Sequence, residues 1–200
     1  MEDSEIVKII NNPKAMVIGD TRHSRNIFSF RWSNAEREAI GLYEVVFNNT
    51  KKKDEEYYTN TDQTFTYDAD AGTVTATYGD ATAKAHADTL FTAQDEVDGL
   101  GTEGEVATRG LKYRKIETVK SQAERELNRT DWYITRKAEK TTSIPSAIST
   151  HRDAVRTKQA SMETAITNAS DTPALETLYT YTQQEDGSVT RPLGELPILE

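Results

Sequence analysis

The side chains best suited to chemistry in this sequence lie between residues 128 and 156. Arg152 and Arg156 are four residues apart, so a helix would project both from a similar face. A guanidinium group can bind a carboxylate through two parallel hydrogen bonds. Asp131 and Glu139 could accept such bonds within the fold. Because acidic groups are abundant in the chain, we favour this intramolecular pairing over the binding of a ligand.

Trp132 and Tyr133 form the largest pair of apolar side chains in the C-terminal half. An aromatic side chain buries about 150–250 Å² when it packs. The sequence therefore predicts that Trp132 closes the open end of a helical hairpin, with contact to a partner surface as the alternative. Asp131 is predicted to cap backbone amides after a helix break, and His151 is predicted to be a packing residue.

The sequence contains no recognisable catalytic, cofactor-binding or metal-binding motif. His23, His86 and His151 are far apart and show no metal-ligand spacing. The absence of cysteine excludes a thiolate nucleophile and thiolate-bound zinc. Glycines at 99–104 do not connect a strand to a helix as in a nucleotide-binding loop. We therefore expect a protein without catalytic residues, cofactor or metal.

The amino-acid composition argues against two classes of binding partner. Only 36% of the residues are hydrophobic and the formal net charge is −9, which argues against binding to nucleic acid or to an anionic membrane. The acidic segment at residues 1–5 lacks the basic and apolar features of a signal peptide. No run approaches the roughly 20 apolar residues of a membrane span. The chain is expected to be soluble and not exported through a cleaved leader.

The first 98 residues are predicted to be β-rich with short helices. Ser33 and Glu36 have the spacing of a capping box, and Gly41 is expected to end the short helix. A strand is predicted at 42–47. Segments 64–67 and 73–78 alternate apolar and polar residues around an Asp- and Gly-containing turn, which indicates a β-hairpin. The Ala-rich stretch 81–98 is compatible with a helix.

The C-terminal part is predicted to be helical. Residues 99–110 contain four glycines and are predicted to form a linker. A helical hairpin follows over 111–178, with a polar bridge that carries Trp132 between its helices. Thr130 and Asp131 either end the first helix or cap a short helix that follows it. Its second helix starts near Pro145 and carries an apolar stripe with a seven-residue spacing, namely Ile148, Val155, Met162 and Ala169. Residues 179–200 are predicted to form an extended tail. The predicted class is α+β, a small antiparallel β-rich region followed by a helical hairpin.

Two groups of residues resemble phage tail proteins. Thr-Asp-Trp at 130–132, followed by His-Arg-Asp-Ala-Val-Arg at 151–156, resembles the C-terminal module of bacteriophage tail fibre assembly chaperones. That resemblance covers about residues 111–170. Trp32 and Ser33, then Ile-Gly-Leu-Tyr-Glu-Val-Val at 40–46, also resemble tail fibre assembly proteins and phage virion proteins. The chain departs from these chaperones in its Pro-containing last dozen residues and in the basic segment after Trp132.

The resemblance implies a non-enzymatic phage tail protein that binds a tail fibre or tail-tip component and assists fibre assembly. The alternative is a permanent virion component, such as a fibre adaptor or tail decoration protein, which could form an oligomer within the virion assembly. An enzyme, such as a hydrolase of host surface glycans, is a third class, because spacing alone does not exclude paired carboxylates. The expected location is the host cytoplasm during assembly, or the virion tail. The expected contact residues are Trp32, Tyr43, Trp132, Tyr133, Arg152 and Arg156.

Overall fold

The computed structural model describes residues 15–18, 21–24 and 32–199. The chain divides into two compact units, Met1–Thr82 and Ala83–Glu200. Strands lie mostly in the first unit and the long helices lie in the second. The predicted α+β class is confirmed.

The first unit begins with a short antiparallel pair, β1 (Ala15–Ile18) and β2 (Thr21–Ser24). Helix α1 (Asn34–Glu38) follows the predicted capping box. Ser33 N donates to Glu36 Oε2 over 2.7 Å, and Glu36 N donates to Ser33 Oγ over 3.3 Å. The capping-box prediction is therefore confirmed. These bonds satisfy amides that the first turn of a helix leaves without partners.

A three-stranded sheet forms the main β-structure of this unit. It consists of β3 (Glu44–Asn48), β5 (Gln63–Asp68) and β6 (Thr73–Tyr78), in the order β3-β6-β5. Strands β5 and β6 form the predicted hairpin, but β3 runs parallel to β6. The sheet is therefore mixed, and the prediction of an antiparallel region is wrong for β3. Two short strands, β4 (Tyr58–Thr59) and β7 (Thr82–Ala83), complete the β-elements near this sheet in sequence.

The core of the first unit lies against one face of this sheet. Val74 and Ala76 on the central strand β6 are almost fully buried. Phe65 pairs with Ala76 across the antiparallel ladder, and Tyr67 pairs with Val74. Alternation along the strands therefore places the apolar residues of β5 and β6 on a common face, as their period-two spacing predicted.

The second unit is built on four helices. They are α3 (Leu111–Asn128), α4 (Asp131–Lys140), α5 (Ser146–Asn168) and α6 (Thr172–Tyr179). Helices α3 and α5 pack against each other as the predicted hairpin. All four members of the predicted apolar stripe are buried, namely Ile148, Val155, Met162 and Ala169.

The structure of residues 81–110 differs from the one predicted from the sequence. Residues 81–98 contain β8 (Thr89–Leu90) and a shorter helix, α2 (Ala93–Val97), rather than one continuous helix. Strand β9 (Val106–Thr108) pairs antiparallel with β8, so that the predicted linker at 99–110 belongs to a hairpin of the second unit. Gly99 and Gly104 adopt positive φ angles of 72° and 83° and turn the chain back. The two units meet in sequence at residues 82 and 83, not within the glycine-rich segment.

The predicted extended tail is partly folded. Strands β10 (Thr182–Gln183) and β11 (Val189–Thr190) form a short antiparallel hairpin. Leu193 is buried, and its carbonyl accepts a 2.8 Å hydrogen bond from Lys158 Nζ on α5. The predicted tail therefore contains a short hairpin, and the hydrogen bond from Lys158 packs its last residues against the helical hairpin.

Among the described residues, none of the helices has both the length and the apolar character that crossing a membrane requires.

Candidate partner-binding surfaces

The bridge predicted between the two long helices is in fact the helix α4. None of its ten described residues is buried, and Trp132 is 51% exposed. The prediction that Trp132 closes the hairpin is therefore wrong. Thr130 occupies the buried position instead, with 1% of its surface exposed. Its hydroxyl donates a 2.9 Å hydrogen bond to the carbonyl of Leu127, so the small polar residue fits where α3 ends.

Arg152 joins three helices at this corner. From α5, its Nη1 donates to the carbonyl of Leu127 at the end of α3 (2.7 Å) and to Thr130 Oγ1 (2.6 Å). The same nitrogen lies 2.8 Å from Asp131 Oδ1 at the start of α4. The carbonyl end of a helix carries partial negative charge, which a buried cation stabilises. The predicted pairing of Arg152 with Asp131 is confirmed.

Asp131 does not cap α4, contrary to the sequence prediction. The N-cap residue is Thr130, and no side chain forms a capping hydrogen bond there. Asp131 lies in the first turn, and its carboxylate contacts Arg152. A negative charge in the first turn still interacts favourably with the helix dipole.

Helix α4 presents a surface that combines aromatic rings with positive charge. The ring centroids of Trp132 and Tyr133 are 3.8 Å apart. The guanidinium of Arg136 lies 4.6 Å from the centre of the Trp132 ring and 5.2 Å from that of Tyr133. Lys137 and Lys140 are exposed in the last turn. We call these five residues of α4 the aromatic–basic surface.

The hairpin between β8 and β9 forms a second distinctive surface of the same unit. Residues 89–108 include five acidic residues and no Lys, Arg or His. We call this segment the acidic lobe. Val97 is 81% exposed and Leu100 is 64% exposed, on either side of the turn at Gly99. The lobe is held in shape by Phe91, whose ring occupies the space that a side chain at Gly101 would need.

The first unit exposes apolar side chains at an edge of its sheet. Among the residues that the structure describes, β3 pairs with β6 and with no other strand. Phe47 on this strand is 63% exposed, and Val46 is 48% exposed on the opposite face. We call strand β3 with these two side chains the β3 edge.

The six predicted contact residues are distributed over both units. Trp32 and Tyr43 are half-buried in the first unit, and the Tyr43 ring lies 4.4 Å from that of Tyr67 on β5. The side-chain hydrogen bond between the Tyr67 hydroxyl and Tyr43, followed by burial, raises the pKa of Tyr67. Of the other four, Trp132 and Tyr133 share the aromatic–basic surface and Arg152 is buried behind it.

Arg156 is not part of this corner. It is exposed on α5 and contacts Asp153 at 3.1 Å, one turn earlier on the same helix. Arg152 and Arg156 therefore do not form a joint binding site for a carboxylate. Their spacing placed them on a similar face, but only Arg152 reaches the corner between α3 and α4.

The sequence reasoning missed the β3 edge and the acidic lobe. Val45, Val46 and Phe47 are consecutive apolar residues in a strand, so at least one had to point away from the core. The lobe could have been recognised from the absence of basic residues over 89–108. In both places the signal was a departure from the usual pattern rather than a known motif.

Two of the three histidines have described side chains. His86 Nε2 lies 2.9 Å from the carbonyl oxygen of Ala169, and His151 is buried on α5, as predicted for a packing residue. The side chain of His23 lies outside the described residues. Among the described side chains, no group of three or more His, Asp or Glu residues is placed to hold a metal ion.

Comparisons of the chain with protein families, with curated proteins and with solved structures find no match.

Proposed function

We propose that the protein is a non-enzymatic phage tail protein that binds a tail fibre or tail-tip component and assists its assembly. The observation that carries this proposal is the β3 edge, where Phe47 and Val46 are exposed on a strand with one paired side in the described structure. Natural proteins usually protect sheet edges with charged residues, bulges or covering segments, because an open edge pairs with other chains. An apolar open edge is therefore a suitable place for a partner strand.

The β3 edge supplies the two components of strand recognition. Its main-chain amides and carbonyls can extend the sheet by hydrogen bonding to an added strand. Phe47 and Val46 point to opposite faces and can contact alternate side chains of that strand. A tail fibre that has not yet assembled exposes such strand edges and apolar tips. The net charge of −9 would keep the complex soluble during assembly.

Co-expression with a fibre protein of the same phage tests the proposal. We expect the unmodified protein to co-purify with the fibre and to increase its soluble fraction. The double substitution Val46→Thr and Phe47→Thr should weaken co-purification by at least about tenfold, since it removes apolar contact and keeps β-forming residues. Val189→Thr is the matched control, because Val189 is also an exposed strand residue but lies in the second unit. No complex and no change in fibre solubility with the unmodified protein would contradict the proposal.

A permanent virion component is the second candidate function. The observation that favours it is the presence, in one unit, of a basic surface and an acidic surface that could join repeated copies. Mass spectrometry of purified particles distinguishes the two functions. Copies in a fixed ratio to other tail proteins support the structural role, and absence from the particles supports the chaperone role.

A further inference from the structure

Helix α4 is a short helix without a buried side chain to stabilise it. A ten-residue helix is marginal in water without tertiary contacts, and none of the described residues of α4 is buried. Its first turn is held by the contact of Asp131 with Arg152, whereas Trp132 and Ile134 are 51% and 42% exposed. Exposed apolar groups surrounded by polar residues are typical of interaction sites. The helix is therefore suited to being covered by another surface.

The charges of α4 indicate what kind of surface covers it. Asp131 is neutralised by Arg152, so the remaining charges are those of Arg136, Lys137 and Lys140 against Glu139. A symmetric contact between two copies of α4 would bring like charges together, which disfavours it. The complementary surface should be acidic and should also offer apolar side chains to Trp132.

The acidic lobe of the same chain has both properties. Its acidic residues face no basic residue within the lobe, and Val97 and Leu100 are among the most exposed apolar side chains described. Capping by Asp95 and a 3.0 Å hydrogen bond from Glu103 N to Glu96 Oε2 hold the lobe in a defined shape. A preformed surface loses less conformational entropy on binding than a disordered one.

We propose that the aromatic–basic surface of one copy binds the acidic lobe of a second copy of this chain. Two different patches of the same molecule then meet, so the contact is head-to-tail and leads to a ring or to an open chain of copies. The contact uses only the second unit. It therefore stands independently of fibre binding, which we assign to the β3 edge in the first unit.

Charge reversal on each side of the contact tests the proposal with the full chain. The first variant carries Lys137→Glu and Lys140→Glu, and the second carries Glu103→Lys and Glu105→Lys. None of these four exposed side chains forms a hydrogen bond or an ion pair with another described residue, so both variants should fold. The control, Arg114→Glu with Arg156→Glu, changes the net charge as much as the first variant but lies on α3 and α5. Circular dichroism and thermal unfolding check that each variant is folded.

Sedimentation velocity at low and high salt then reports the state of association. The unmodified protein and the control should self-associate at a concentration on the order of 100 µM, and more weakly in roughly 0.5 M salt. Each charge-reversed variant alone should require at least about tenfold higher concentration.

Mixing the two charge-reversed variants provides the decisive result. The first variant retains a native acidic lobe, and the second variant retains a native α4. When the two variants are mixed, α4 of the second can bind the lobe of the first through the native contact, which neither variant can form alone. We expect a complex in the mixture and not in either variant alone. A monomeric unmodified protein, association that survives in both variants, or a mixture without a complex would overturn the proposal. Binding of α4 only to a different acidic protein, without self-association, would overturn it as well.

Discussion

At the scale of single residues, Arg152 is the most informative side chain. It contacts the end of α3, the buried Thr130 and the start of α4 through one terminal nitrogen. Two of these acceptors are uncharged and are located where water is largely excluded, whereas the Asp131 side chain is 52% exposed. The hydrogen bonds to Leu127 and Thr130 should therefore contribute more to stability than the ion pair does.

This ranking gives a first prediction. Arg152→Met should lower the free energy of unfolding by about 2–3 kcal/mol, because the Leu127 and Thr130 acceptors lose their buried donor. Asp131→Asn should lower it by less than about 1 kcal/mol, because a half-exposed ion pair contributes little. Urea denaturation of both variants measures the difference. Equal losses would mean that the ion pair, not the contact with α3, is the main contribution.

A second prediction concerns Gly110 at the start of α3. A side chain here would collide with the main-chain carbonyl group of Ala87, which cannot move as a side chain can. Gly110→Ala should therefore lower the free energy of unfolding by about 2 kcal/mol or more. Gly104→Ala is the control, since its Cβ would meet open space and only its positive φ is unfavourable, a cost of about 1 kcal/mol. Thermal unfolding compares the two variants, and a smaller loss at Gly110 would contradict the steric explanation.

Asp88 gives a third prediction, on pH dependence. The amide of Gly110 donates to its Oδ1 over 2.8 Å, and this bond, followed by the one from Arg109, lowers the pKa of Asp88. A carboxyl whose folded-state pKa is depressed stabilises the fold above its unfolded pKa of about 3.9 and loses this effect as the pH falls through its folded pKa. Asp88→Asn should therefore reduce the slope of stability against pH below about pH 4. An unchanged slope in urea titrations at pH 2.5–5 would show that Asp88 is not stabilised by these contacts.

At the scale of elements, short sequence patterns correctly predicted those elements whose stabilising contacts are close in sequence. The capping box at Ser33, the hairpin of β5 and β6 and the apolar stripe of α5 were all predicted, because each depends on neighbours close in sequence. The sequence left a short helix after Thr130 as one of two alternatives, and it did not predict the acidic lobe or the contact between Lys158 and the tail. These depend on Arg152, Gly110 and Lys158, whose partners are between 22 and 35 residues away in sequence. Sequence spacing does not report such contacts.

The same reasoning explains why the structure brings together only some of the predicted contact residues. Trp132 and Tyr133 do share a surface, because neighbouring residues on a short helix remain close. Arg156 was grouped with Arg152 by its spacing, but the position of α3 decides which of the two is buried. Trp132 was expected inside because large aromatic residues are usually buried, whereas the smaller Thr130 fits the corner.

The fourth prediction concerns the dynamics of α4. Because none of its described residues is buried, its amides after the first turn should exchange with solvent faster than those in the middle of α3 or α5. Hydrogen–deuterium exchange at low protein concentration measures this, with Val119 and Val155 marking the protected helices. At high concentration, protection should increase in α4 and in the acidic lobe together. Protection that is equal in all three helices at low concentration would contradict the prediction.

At the scale of the whole molecule, the two proposed contacts lie in different units. The β3 edge belongs to Met1–Thr82, and the aromatic–basic surface and the acidic lobe belong to Ala83–Glu200. When copies associate through the second unit, the assembly presents the β3 edge of each copy to a partner at the same time. Repeated edges increase the effective concentration of each at a partner that is itself repeated.

The fifth prediction follows from this separation. The Val46→Thr and Phe47→Thr variant should lose fibre co-purification but keep the self-association of the unmodified protein. The Lys137→Glu and Lys140→Glu variant should lose self-association and keep a fibre contact, although a weaker one because the avidity of repeated copies is lost. Co-purification and sedimentation of both variants measure the two properties. Loss of both properties in either variant would show that the two surfaces act as one site.

The contact between Lys158 and the carbonyl of Leu193 has a consequence for how this protein diverges in evolution. Every residue has a main-chain carbonyl, so this hydrogen bond does not depend on which side chain stands at position 193, although Leu193 itself is buried. Gly194 has a φ of 69°, a backbone conformation that favours glycine, and its Cβ position lies next to the flexible end of the Lys158 side chain. Related proteins should therefore keep a lysine and a glycine at these two places while the residues around them change. Such a pair, 36 positions apart, would identify a relative after most other similarity in the tail has disappeared.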